Sequence, residues 1–223
     1  MFVGHYGVSL AAKRWAPSLS LGWLFLAVQM LDVLFASFVL VGVEKLAIVP
    51  GFTEYNAYDL QFMPYSHSLV GALVWSVVFG LVARALIGRK GAIPAVAIGV
   101  CVFSHWVLDV PMHTPDMPLA GNDSTKIGLG LWRHRDLSLL AELVAFWAGA
   151  LIWLRGTGGL GRRRATTLVF LGVLTAVLLS TPFMPPPSGP NGFAVFALVA
   201  YVALAGFAAW VDRRRATVPA PRT

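Results

Sequence analysis

Cysteine is almost absent from this sequence: Cys101 stands alone. One thiol excludes an intrachain disulfide and every zinc motif built on paired cysteines. It falls inside an apolar run, where it reads as a small packing residue. Charge is scarce as well. Asp, Glu, Lys and Arg make up 12% of the chain, about half the usual share of a soluble domain. So little polar surface cannot cover a chain that is 57% apolar, with a mean hydropathy of +0.73, and a soluble globular fold is excluded. Internal repeats are missing, and so is any linker, so residues 1–215 read as a single transmembrane domain.

What is present is a succession of apolar runs, at 18–43, 66–87, 92–110, 137–154, 166–181 and 192–211. A helix needs about 20 apolar residues to cross a bilayer core. The fold class is therefore all-α, a polytopic membrane bundle of about six transmembrane helices. The first run is too long for a signal-peptide core and is interrupted by Gln29 and Asp32. Residues 1–16 are too short to span and are expected to form a short N-terminal helix that lies at the interface or dips into the bundle. Residues 216–223 read as a flexible cytoplasmic tail.

The formal charge of +7 would favour nucleic acid in a soluble protein. Here the basic residues sit between apolar runs, so topology accounts for them, and the expected partner is the lipid bilayer, not nucleic acid. Of the 17 Lys and Arg residues, 13 flank one side; Lys45, Lys126, Arg133 and Arg135 flank the other. The positive-inside rule then puts both termini in the cytoplasm, and the expected location is the bacterial cytoplasmic (inner) membrane, as a multi-pass protein. On the outer side, 44–65 is mildly acidic and aromatic, and 182–191 is a stiff proline-rich loop. The long polar segment 111–136 reads as a lid-like loop over a site. Its Gly128 and Gly130 belong to no phosphate loop, because the Gly-Lys-Ser/Thr signature is missing.

Ionisable groups inside a bilayer are costly and mark function by default. Counted from the cytoplasmic end of each run at about 1.5 Å per residue, Asp32 is about 21 Å up, His105 and Glu142 about 20 Å, and His67 and Asp109 about 26 Å. Five groups on four helices thus share one layer about 6 Å deep. His105 and Asp109, at i and i+4, share a helical face. Imidazole nitrogen and carboxylate oxygen both suit a divalent metal, zinc first among them. The same pair also suits a buried hydrogen bond that holds the bundle together. Taken singly, His67 suits a helix cap and Asp32 a contact with Gln29. His5, about 12 Å up a helix that rises from Lys13, reaches either the lower edge of the layer or the interface. His113 carries less weight, because Pro111 is expected to end the helix before it. His134, between Arg133 and Arg135, reads as a solvated loop residue.

Four segments form a pattern in order: Gly4-His5, Met30-Leu31-Asp32, Ser66-His67-Ser68, and Ser104-His105 through Asp109. Over residues 1–115 the chain resembles a family of bacterial inner-membrane metal-dependent hydrolases. The resemblance nominates His5, Asp32, His67, His105 and Asp109 as metal ligands or their neighbours. The chain departs from the family's pattern at Leu31 and Leu34, where the family has a proline and a second aspartate. It departs again at Phe62-Met63-Pro64, where the family often has His-Arg-Gly. One expected histidine is missing, which points to one metal or to an altered ligand set.

The expected function is a membrane-embedded hydrolase that uses one divalent metal on a lipid-like ester or phosphoester. In it Asp32 is a ligand or general base, and Glu142 a candidate for proton transfer. Two other classes remain open: a proton-coupled or small-solute transporter, and a non-catalytic assembly protein with a polar helix core. Nothing in the histidine spacing favours haem over a small metal.

Overall fold

A computed structural model of the protein describes residues 1–87, 92–156 and 164–216. The expected tail, apart from Ala216, lies outside the described residues, as do Arg89, Lys90, Arg162 and Arg163. The chain is an all-α bundle. Its helices are α1 (Tyr6–Trp15), α2 (Leu21–Val28), α3 (Met30–Leu40), α4 (Leu69–Ile87), α5 (Ala92–Met112), α6 (Arg135–Gly156), α7 (Arg164–Ser180) and α8 (Pro190–Ala216). Five of them, α4 to α8, are long and apolar enough to cross a membrane, and α2 with α3 forms a bent apolar pair, either a broken sixth span or a re-entrant loop. The protein is therefore a multi-pass membrane protein. Its exposed side chains along α4, such as Val70, Leu73, Val77 and Leu81, are apolar because lipid, not water, is their solvent.

The first apolar run is not one straight helix. It bends by 56° between α2 and α3, at Gln29, whose side-chain amide donates to the Phe2 carbonyl at 3.1 Å. Irregular backbone at membrane depth is tolerated only where other protein groups satisfy it. That condition is met here: the Val28 carbonyl, at the break, accepts a hydrogen bond from His105.

The N-terminal segment dips into the bundle. A 3-10 turn, Val3–His5, leads into α1, whose Tyr6, Ser9 and Leu10 are buried. Two glycines let α1 come close to α6. A Cβ on Gly149 would run into the carbonyl of Gly7, and one on Gly7 into that of Ala145. Small residues at helix contacts are how bilayer proteins bring backbones together. At the other end of α1, Lys13 Nζ holds Asp212 at 2.8 Å and the Leu19 carbonyl at 2.5 Å, tying the 16–20 turn to α8. Lys13 and Arg14 thus sit together in the last turn of α1. Met1 is not at that end: it lies buried at the top of the helix, against Asp109.

On the opposite side, β1 (Lys45–Ile48) pairs antiparallel with β2 (Tyr58–Phe62), and β3 (Met117–Pro118) with β4 (Lys126–Ile127). These hairpins, with the 3-10 turn Leu131–Arg133, cover the end of the bundle opposite Lys13 and Arg14.

A candidate metal centre in the outer half of the bundle

Five of the residues singled out by depth and pattern meet in one cluster, buried but for the partly exposed Asp32: His5, Asp32, His67, His105 and Asp109. Different elements deliver them: the N-terminal turn, the first turn of α3, the segment before α4, and α5. His5 stacks on His105 with ring centroids 3.9 Å apart, and its Nε2 is 3.1 Å from Asp109 Oδ1. Asp32 Oδ1 is 3.4 Å from His67 Nε2 and 3.5 Å from His105 Nε2. Asp109 Oδ2 is 3.1 Å from His105 Nε2 and 3.9 Å from His67 Nε2. The amino group of Met1 is 2.7 Å from Asp109 Oδ1.

A sixth residue joins them. His113 Nε2 is 3.5 Å from Asp109 Oδ2. Sequence reasoning gave it little weight because of Pro111, yet the helix runs through that proline to Met112, and the His113 N–H bonds to the Asp109 carbonyl at 2.9 Å. A proline near a helix end forfeits one backbone bond, and the turn closes beyond it. The signal was present as the i, i+4, i+8 series of His105, Asp109 and His113.

The outer partners of the histidines fix their tautomers. A carbonyl or carboxylate only accepts, so His105 Nδ1 donates to the Val28 carbonyl at 2.7 Å and His113 Nδ1 to Asp116 at 2.9 Å. Ser66 Oγ donates to Glu44 Oε2 at 2.5 Å, which leaves its oxygen to accept from His67 Nδ1 at 2.8 Å. Three imidazoles therefore carry a proton on Nδ1 and turn Nε2 toward two carboxylates. His105 Nε2 is buried, 3.1 Å from Asp109 Oδ2. In a neutral ring that nitrogen is a lone pair, and a lone pair facing carboxylate oxygens is repelled unless a proton or a metal cation lies between them. Ligands at about 2.0–2.1 Å from a tetrahedral zinc lie about 3.3 Å apart, close to most of the spacings among these atoms. Second-sphere acceptors behind each histidine are the usual accompaniment of a metal site. The donor set fits a divalent cation, through two groups that share His105: His5, His105 and Asp109, and Asp32, His67 and His105.

Three supporting residues escaped the sequence reading. Glu44 accepts from the Tyr65 and Ser66 N–H groups at 2.8 and 2.9 Å as well as from Ser66 Oγ. Burial pushes its pKa above the usual glutamate value, and those hydrogen bonds pull it back. Asp116 stands behind His113. Tyr201 in α8 donates to Asp32 Oδ2 at 2.8 Å. None of the three carried a periodicity or motif, because each meets the site only through tertiary contact.

Glu142 is buried at the same level, but its carboxylate is engaged elsewhere. It accepts from the N–H groups of Phe2, at 3.1 Å, and Gly4, at 2.9 Å, and from the Tyr55 hydroxyl, at 2.8 Å. Burial and the Glu142 charge both raise the Tyr55 pKa, which keeps that hydroxyl a donor. His134 is exposed and stands apart from the cluster.

A cavity of about 940 Å³ opens on the cluster and is reached by Asp32, His67, Asp109 and His113. The outer segments 50–58 and 181–188 rim it, while of the 111–136 segment His113 and Trp132 line it. The rim is thus built by different loops from the single lid expected at 111–136. Comparison with protein-family models, with curated proteins and with solved structures finds no match to this chain.

Proposed function

We propose that the protein is a membrane-embedded hydrolase that uses one divalent metal, zinc first among the candidates, on a lipid-like ester or phosphoester. The observation that carries the reading is the convergence of three imidazole Nε2 atoms on the carboxylates of Asp32 and Asp109, each of the three rings held from behind at Nδ1. Asp32, His67, His105 and Asp109 would hold the ion, with His113 and His5 at its edges. A divalent ion bound there supplies a Lewis acid and lowers the pKa of a water at neutral pH.

The chain's own residues then have distinct tasks. Ser66 with Glu44, Asp116 and the Val28 carbonyl hold the rings in one tautomer. Tyr201 orients Asp32 by holding its second oxygen. The hydrogen bonds on Glu142 favour a structural role, anchoring the N-terminal turn that presents His5, in place of proton transfer. The cavity gives a substrate a way to the cluster. The excess of positive charge at the opposite end of the bundle supports a bacterial cytoplasmic membrane, with the site facing its outer leaflet.

Elemental analysis of detergent-purified protein tests the reading. Near-stoichiometric zinc is expected in the wild type and lost from a still-folded His105→Ala variant, and the zinc-loaded wild type should cleave p-nitrophenyl phosphate or p-nitrophenyl butyrate. No metal in the wild type after incubation with excess zinc would overturn it. A transporter draws support from the bent α2–α3 span, but broken helices in transporters come in corresponding pairs, and among the described residues there is one such bend.

A further inference from the structure

The cavity is larger than the proposed chemistry needs. A volume of about 940 Å³ is at the upper end of pockets that enclose a whole organic ligand, about 300–1,000 Å³. A water molecule needs about 30 Å³. Its two ends also differ in character. At the cluster it is polar. Away from the cluster its walls are apolar: Val177 from α7, and Phe193, Ala197, Ala200 and Leu204 from α8.

Ala197, Ala200 and Ala203 recur every three residues along α8, so they share a face and leave it hollow. Phe196 and Ala203 line the cavity and are exposed, so the cavity is open along α8. From Phe193 to Leu204 the hollow runs about 16 Å down α8, from the outer rim toward the bilayer centre. That is the direction in which the tail of an outer-leaflet lipid points when its headgroup linkage is at the level of the cluster.

We propose that this cleft, between α7 and α8, binds one hydrocarbon chain of an outer-leaflet lipid that slides in sideways, with its headgroup linkage on the His/Asp cluster. The substrate assignment rests on the hydrolase reading, whereas the chain-binding cleft does not require a metal. The small residues of α8 keep the groove open, and Tyr58 from β2 and Phe193 from α8 line it, their rings 4.8 Å apart. Both are partly buried, so each ring keeps a face open to a molecule in the cleft.

The test uses metal-free protein in nanodiscs that contain phosphatidylethanolamine with a diazirine in one acyl chain. After irradiation, peptide mass spectrometry should find adducts on Tyr58 and Phe193. Ala200→Trp, which fills the groove, should reduce them about ten-fold or more. Val202→Trp, on the lipid-facing side of the same helix, should leave them unchanged. Absence of adducts on both Tyr58 and Phe193 in the wild type, or equal labelling of Ala200→Trp, would overturn the cleft. Zinc content separates the two readings. Labelling without zinc binding removes the hydrolase and leaves the lipid cleft, while zinc binding with hydrolysis of p-nitrophenyl butyrate but no labelling removes the cleft alone.

Discussion

Replacing Ser66 by alanine probes the support of the metal centre without touching a ligand. In the wild type Ser66 Oγ accepts from His67 Nδ1 at 2.8 Å and donates to Glu44 Oε2 at 2.5 Å. The variant leaves Glu44 anchored, because its Oε1 still accepts the Tyr65 and Ser66 N–H groups at 2.8 and 2.9 Å. The loss therefore falls on His67, which is 2% exposed. A buried donor left unpaired costs about 1–3 kcal/mol of stability. Removing an outer partner of a ligating histidine costs about 10- to 100-fold in metal affinity, or about 1.4–2.7 kcal/mol. Zinc affinity is read by competition with a chromophoric chelator, and folding by circular dichroism. Ser76→Ala is the control, since that buried serine bonds only to the Ala72 carbonyl within its own helix, at 2.6 Å. A folded Ser66→Ala protein with the zinc affinity of the wild type would refute the reasoning.

Other substitutions test other parts of the structure. His113→Ala should weaken zinc binding while His134→Ala leaves it intact, and equal effects in the chelator assay would remove His113 from the centre. Glu142→Gln weakens the acceptor of three hydrogen bonds, so it should cost about 2 kcal/mol or more of stability, seen as a lower melting temperature in detergent, with zinc still bound. Loss of zinc without loss of stability would instead restore a direct role for Glu142. Gly149→Ala pushes α1 off α6 and should cost about 1–3 kcal/mol as an overpacked contact; an unchanged melting temperature would show that the helices part freely. Tyr201→Phe releases Asp32 Oδ2 and should lower zinc affinity without unfolding the protein, and an unaltered titration would leave that hydroxyl without a role in the centre.

Sequence alone determined that the chain lies in a membrane as an all-α bundle, because scarce charge and long apolar runs admit no other solvent. It also placed Asp32, His67, His105, Asp109 and Glu142 at one depth, since helical rise turns residue number into height. Rotation is what residue number does not supply between helices. Only the tertiary structure decided that Asp32 and His67 face His105 while Glu142 turns to the N-terminal turn. The bend at Gln29, the descent of α1 into the bundle and the passage of α5 through Pro111 were likewise settled by partners far along the chain. His105 on the Val28 carbonyl, Gly149 against Gly7, and Tyr201 on Asp32 are contacts between distant segments, and a local pattern carries no record of them.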